Sequence, residues 1–302
     1  MYNKELGIIY QQNGKSMEQV SSNGLQLDLL ASYDGTEVIK HTLAKGKRWL
    51  IGPEEGWDSL EFLYVISGQL DVTVRDEKIV LKPGDSFKAF PIKEDCIFIA
   101  SKDSEFLYIS SKPVFHHYSL LLGKMKQLAI SVEEKDGYTA DHCSRIMEYS
   151  MKLGEKLGMT SKELFQLNIG SFLHDIGKLS VPDELLKKPG KLTKEEWEIM
   201  KLHPIYGKSI LIDTNHPILI EAAPIVEQHH ERFDGSGYPY GLKKDEILLG
   251  AHIVAVVDSF DAMTSDRVYR NKFSDDYAIS ELKKGRGTLY HPDIVSTFLN
   301  MI

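Results

Sequence analysis

Two hydrophobic periods divide this chain, and no single layer of secondary structure satisfies both. From about Thr36 to Ser111 the residues alternate: Leu70, Val72 and Val74 face one way, Asp71, Thr73 and Arg75 the other. Short runs at Glu61–Ile66, Lys78–Leu81, Cys96–Ala100 and Phe106–Ile109 are separated by turn residues, among them Pro83-Gly84-Asp85. This spacing predicts an antiparallel barrel or sandwich of roughly eight strands. From Pro113 onward helical spacing takes over. Leu121, Met125, Leu128 and Val132 form an apolar seam, which either packs on its own domain or joins two subunits as a short coiled coil. Further helices are expected at Leu164–Lys178, Lys194–Lys201, Ile205–Ile212, Ile218–His230 and Ala251–Met263, and near the C-terminus. Pro204 suits a first helical turn, which leaves His203 just outside it.

A length of 302 residues also favours two domains. The expected fold class is multidomain α and β: a β-barrel over residues 1–112, a helical linker over 113–137 and an all-α domain over 138–302. Hydrophobic residues make up 42% and charged residues 26%, enough apolar material for a core in each part. A net charge of -8 argues against a polynucleotide partner but leaves room for a local basic pocket. Cys96 and Cys143 fall in different parts without CxxC spacing, so thiols are expected. The first fifteen residues lack a signal-peptide core, and no apolar run is long enough to cross a bilayer; a cytoplasmic protein without a membrane partner is expected.

The polar residues of the helical part are more informative. His142, His174, Asp175, His203, His229, His230 and Asp258 each lie within or beside an apolar helical segment, where an unpaired polar group would be costly. A shared metal site removes that cost. Five imidazoles and two carboxylates exceed the needs of one tetrahedral ion and suit two octahedral ions bridged by a carboxylate. Such a set favours Fe or Mn, admits Zn, Co or Ni, and suits Mg least. His116 and His117, with no carboxylate beside them, are read as solvated or interfacial. Taken singly, each histidine is more often a satisfied core or surface residue than a ligand; spacing alone does not bring the helices together.

Two resemblances sharpen this reading. Residues 61–68 (EFLYVISG), 81–86 (LKPGDS) and Phe90-Pro91 resemble a cupin barrel. Where metal-binding cupins carry histidines, this chain has Glu55, Gly56, Trp57 and Phe87. The resemblance therefore implies a ligand-sensing, dimerising or packing module without a metal. In the helical part, HDIGK at 174–178, HHERFDGSGYPYGL at 229–242 and DSFDAMTSDRVYR at 258–270 resemble the HD-GYP family of metal phosphohydrolases, from about Asp141 to Phe298.

The HD-GYP resemblance implies hydrolysis of cyclic di-GMP to linear pGpG, and onward to GMP, at a multinuclear metal centre. Its metal ligands fall on His142, His174, Asp175, His203, His229, His230 and Asp258. Lys178 matches the lysine that contacts the substrate phosphate, and Arg267 and Arg270 match two basic substrate contacts; surface ion pairs are the competing role for these arginines. Gly237, Tyr238 and Pro239 are the namesake triplet, with Tyr238 on a wall of the substrate pocket. Asp261 shares a helical face with Asp258 and is expected either to orient a ligand or water in catalysis, or to act as an ordinary helix or surface residue. Members with three metals carry a glutamate where this chain has Tyr138, so two divalent ions are expected. His291 before Pro292 replaces the family's usual aspartate.

Two cations about 3.5–4 Å apart would activate a bridging water for in-line attack on phosphorus. Two other readings stay open: another cyclic dinucleotide such as cyclic GMP-AMP as substrate, or a signalling scaffold acting through protein contacts. The barrel is expected to regulate activity, with an unknown small ligand or none, and a homodimer is an open expectation.

Overall fold

The computed structural model describes residues 2–3, 8–9, 15–22, 24–53, 56–75, 77–115, 123, 125, 127–128, 130–132, 135, 142–265 and 272–302. Leu121, His116, His117, Tyr138, Arg267 and Arg270 lie outside them. The chain divides into two compact units, Met1–Lys124 and Met125–Ile302.

In the first unit, β1 (Tyr2–Asn3) pairs with β2 (Ile8–Ile9). The remaining strands are β3 (Glu18–Ser22), β4 (Leu25–Tyr33), β5 (Thr36–Leu43), β6 (Arg48–Ile51), β7 (Glu61–Val74), β8 (Glu77–Leu81), β9 (Ser86–Ala89) and β10 (Cys96–Ser110). They form an eight-stranded antiparallel sheet in the order β3-β4-β5-β10-β7-β8, with β6 on β10 and β9 on β7. The sheet surrounds one apolar core that includes Leu29, Ile39, Leu63, Val72, Phe98 and Phe106.

Two pairs of expected short strands are continuous. The runs at 61–66 and 70–74 merge in β7, and those at 96–100 and 106–109 merge in β10. Bulges between Ala100 and Phe106 absorb the register change, so pairing continues through polar residues. Gly68 sits at φ +83°, where an added Cβ would stand 2.3 Å from the Asp103 carbonyl oxygen; β7 bends there without breaking.

Alternation along β5 turns Glu37, Ile39, His41 and Leu43 inward. Glu37 accepts hydrogen bonds from the amides of Val114 and Phe115, both 2.7 Å, and so fixes the chain leaving the sheet. His41 stacks on Phe106 with ring centroids 4.7 Å apart and meets Trp49 edge to face at 4.8 Å.

In the second unit, the described positions of 125–135 are helical, with Met125 and Val132 buried. The helices that follow are α1 (His142–Lys156), α2 (Ser161–Phe172), α3 (Asp183–Leu186), α4 (Lys194–Met200), α5 (His203–Asp213), α6 (Pro217–Gln228), α7 (Leu249–Thr264), α8 (Asp275–Gly285) and α9 (Pro292–Leu299). Thr160 and Thr193 start α2 and α4 with reciprocal capping boxes to Glu163 and Glu196. Helix α7 buries residues through nearly its whole length and packs against α1, α2, α6 and α8, as its apolar run of Ile253 to Val257 requires.

The expected helix over 164–178 is shorter. It ends at Phe172; His174 and Asp175 occupy a turn, and a 3-10 helix covers Ile176–Ser180. Close approach of α5 accounts for the turn: a Cβ at Gly177 would stand 1.8 Å from the His203 carbonyl oxygen. His203 is the first residue of α5 rather than a residue outside it, because its amide lies among those a helix start leaves unpaired. No helix among the described residues is long and apolar enough to cross a membrane.

Candidate metal centre

His174, His203, His229 and His230 stand at or next to a helix terminus. His203 opens α5, His174 lies two residues past the end of α2, and His229 and His230 follow α6, while His142 is the first described residue of α1. At these positions the backbone turns the ring inward and offers a carbonyl three residues back. His174 Nδ1 lies 2.8 Å from the Ser171 oxygen, His203 Nδ1 2.9 Å from that of Met200, and His229 Nδ1 2.6 Å from that of Val226. A carbonyl only accepts, so Nδ1 carries the proton in all three rings, and in the neutral imidazole Nε2 is left as a lone pair.

Those Nε2 atoms converge on Asp175. Its Oδ1 is 3.3 Å from His203 Nε2 and 3.8 Å from His229 Nε2; its Oδ2 is 3.4 Å from His174 Nε2. Asp258, on α7, places Oδ1 3.9 Å from Nε2 of both His142 and His174. Two groups result, each with donor atoms within 4.8 Å of one another: Asp175, His203, His229 and His230 in one, His142, His174 and Asp258 in the other. All seven residues singled out in the sequence come together. Among the described residues, both such groups lie in the helical unit.

The donor chemistry fits divalent cations. His174 Nε2 is buried 3.4 Å from Asp175 Oδ2, an approach that a proton or a cation between the two atoms stabilises. His203 and His229 point Nε2 at one another across 3.4 Å. Burial, then the neighbouring imidazoles of His203 and His174, holds the His229 pKa well below its usual value; burial and the same kind of neighbours do so for His230. Burial also opposes charge on His174, but Asp175, Asp258 and the Ser171 carbonyl together push its pKa up to about 9. Asp175 is held well below the carboxylate range: burial works against this, and Lys178 and His174 outweigh it.

Of the remaining predicted residues, Lys178, Asp261 and Tyr238 are described and lie around this cluster, while Arg267 and Arg270 fall outside the described residues. Lys178, 12% exposed, donates to Asp175 Oδ2 at 2.8 Å. Asp261 turns Oδ2 to His142 Nδ1 at 2.8 Å and takes two hydrogen bonds from Arg145, at 2.5 and 2.9 Å. Both its oxygens are thus engaged behind His142. Tyr238 lies over His230, ring centroids 4.8 Å apart, and its amide donates to the His230 carbonyl at 3.2 Å. A Cβ at Gly237 would stand 2.3 Å from the Arg232 nitrogen, so glycine is what lets the loop approach so closely.

Several residues carry this arrangement without having been singled out in the sequence. Glu231, buried, accepts from the amides of Tyr240 at 2.7 Å and Leu242 at 3.1 Å. Glu227, four residues earlier, accepts from the Tyr240 hydroxyl at 2.5 Å and Lys208 at 2.7 Å. The pair clamps the loop that follows the histidines. Glu227 is on the last turn of α6 and Glu231 lies three residues past its end, so no helical face joins them in the sequence. Arg145, three residues after His142, likewise has no sequence signal because its partner is more than a hundred residues away.

In the first unit, Trp57 donates from Nε1 to Glu61 Oε1 at 2.7 Å, and Cys96, like Cys143 in the second, is a buried thiol.

Comparison with known proteins follows the same division. The HD domain family model matches residues 122–294, more than half of the chain, and the Cupin domain model matches residues 53–93. A cyclic di-GMP phosphodiesterase of Thermotoga maritima is 34% identical over 306 residues, covering 97% of this chain and 83% of that protein. The cyclic di-GMP phosphodiesterase response regulator RpfG of Xanthomonas campestris pv. campestris is 39% identical over 175 residues, 58% of this chain and 46% of that protein. The 3'3'-cGAMP-specific phosphodiesterase 2 of Vibrio cholerae is 37% identical over 172 residues, 57% of this chain and 33% of that protein. The chain thus spans less than half the length of the latter two. With its HDIGK and HHERFDGSGYP motifs closing on one cluster, the chain belongs to the HD domain family, as an HD-GYP member with a cupin domain preceding it in sequence.

Proposed function

We propose that this chain is a metal-dependent phosphodiesterase that hydrolyses cyclic di-GMP to linear pGpG, and to GMP where a second cleavage follows. The observation that carries this reading is the position of Asp175 between two donor groups, one carboxylate oxygen toward each. Two divalent ions, Fe or Mn by the mixed imidazole–carboxylate chemistry, would be held by His203, His229, His230 and Asp175 on one side and by His142, His174, Asp258 and Asp175 on the other. When bound, such a pair supplies an activated water and neutralises charge on the phosphoryl group.

The chain's own residues prepare the rest. Backbone carbonyls fix the tautomers of three rings, and Asp261 fixes His142, so the donors do not reorganise when substrate arrives. The Lys178 amine stands beside Asp175 and offsets charge on a non-bridging phosphate oxygen once substrate draws it over. Tyr238 covers His230 and narrows access of bulk water to that side. Arg267 and Arg270 hold the second phosphate or a guanine edge in this reading.

A second substrate, cyclic GMP-AMP, is favoured by the likeness to the Vibrio cholerae relative. A scaffold without turnover would not need seven convergent ligands and Lys178. The cupin domain is assigned a regulatory role. Within the helical unit, Lys135 donates to the carbonyls of Leu179 at 2.8 Å and Val181 at 2.7 Å, one and three residues after Lys178.

The test is a double variant, His174→Ala with Asp175→Ala, assayed for metal content and for cyclic di-GMP turnover. Loss of both with the cupin core still folded supports the assignment. Retained turnover rejects it.

A further inference from the structure

Trp197 lies on α4, outside the donor cluster, and is 44% exposed. Its ring meets Tyr238 at a centroid distance of 6.1 Å with the planes at 80°. Tyr238 in turn lies over His230 at 4.8 Å with the planes at 34°. Three rings thus run in sequence from an imidazole of the candidate metal centre to solvent. Whichever ring of an edge-to-face pair presents its edge, the contact leaves at least one indole face uncovered. An indole left in water forgoes the stabilisation that burial of so large an apolar surface brings. Helix α4 is anchored for this orientation: its capping box at Thr193 and Glu196, and Lys188 donating to Glu196 at 2.5 and 2.7 Å, fix the turn that carries Trp197.

A nucleobase stands one ribose away from its phosphate, and two ring-to-ring steps, of 4.8 and 6.1 Å through Tyr238, lead from His230 to Trp197. We infer that Trp197 is a stacking platform for one nucleobase of the dinucleotide whose phosphodiester is bound at the donor cluster. This rests on the phosphodiesterase reading above and adds to it the place of a base. Aromatic stacking accepts any base, since every base has a π-face. Trp197 therefore holds a purine without choosing between guanine and adenine, and selection between cyclic di-GMP and cyclic GMP-AMP lies with other residues.

The experiment uses full-length, Mn-loaded protein as wild type, Trp197→Phe and Trp197→Ala. Steady-state constants are measured for cyclic di-GMP, cyclic GMP-AMP and bis(p-nitrophenyl) phosphate, a diester without a nucleobase. Expected for Trp197→Ala is a KM raised about ten- to a hundredfold for both dinucleotides, by similar factors and with a smaller change in kcat. The KM change for bis(p-nitrophenyl) phosphate should be at least about fivefold smaller, and Trp197→Phe should recover most of the loss. A dinucleotide KM within about twofold of wild type overturns the inference alone. So does an equal loss on all three substrates, which would make Trp197 a prop for Tyr238. Wild-type protein that cleaves bis(p-nitrophenyl) phosphate but neither dinucleotide overturns the functional reading, and the inference with it.

Discussion

His203 and His229 face each other through Nε2 atoms 3.4 Å apart, while each ring gives its Nδ1 proton to the carbonyl three residues before it. Two neutral imidazoles so arranged oppose lone pair to lone pair. A proton or a cation between or beside them relieves the repulsion, and Asp175 Oδ1, 3.3 Å from His203, adds a third donor at the same place. The geometry suits these three donors to one divalent ion.

Removal of one partner should empty one group and spare the other. His203→Ala is expected to lower bound metal from about two ions per chain to about one and to reduce turnover on the order of a hundredfold or more. Elemental analysis beside a turnover assay checks this. Unchanged metal content would remove His203 from the ligand set, and three ions in the wild type would overturn the count of two.

Asp261→Asn tests a residue acting through another. The variant keeps the shape beside His142 but loses the charge that pairs with Arg145 and orients the ring. The expected loss is about ten- to a hundredfold in metal affinity, with a matching fall in activity at limiting metal that excess metal partly restores. A fall that no metal concentration relieves would instead place Asp261 at the reacting atoms.

Glu231 should matter for the loop more than for the ions. Glu231→Ala leaves the amides of Tyr240 and Leu242 without their carboxylate acceptor and is expected to destabilise the protein by about 2–3 kcal/mol; Glu231→Gln, keeping one oxygen, costs about 1 kcal/mol. Chemical denaturation measures both. Equal stability of all three forms would contradict the clamp.

The cupin core carries a pH prediction. Burial pushes the His41 pKa down to about 3, from 6.5, against the Ile39 backbone and Asp28. Below pH 6.5 the unfolded chain takes up a proton that the folded core refuses. Stability is therefore full above that pH and falls as pH drops toward 3, by about 1.4 kcal/mol per unit at the steepest. His41→Phe, which keeps a ring on Phe106, should flatten the dependence in denaturation curves of the full chain between pH 6.5 and 4. An identical slope in both proteins would contradict it.

Much of this was legible in the sequence because it rests on local rules. Alternation located strands from Thr36 onward but not β3 and β4, and the seven histidines and aspartates singled out in the sequence are the residues whose donor atoms gather in two groups. What local rules could not supply is contact between distant segments. The continuity of β7 and β10 depends on bulges that let polar residues stay paired, and the early end of α2 at Phe172 depends on α5 pressing against Gly177. Arg145 and Asp261 meet across a separation of 116 residues, so no window of sequence joins them. Glu227 and Glu231 stand four residues apart on either side of the end of α6, and the loop they hold is joined to them only by the fold.

The most direct measurement is chromatographic analysis of nucleotide turnover by anaerobically purified protein loaded with Mn or Fe and offered cyclic di-GMP beside cyclic GMP-AMP. The account predicts conversion of cyclic di-GMP to pGpG, with GMP following, in preference to the hybrid nucleotide. Metal-replete protein that preferred cyclic GMP-AMP would contradict the substrate assignment, and protein that left both intact would contradict the enzyme.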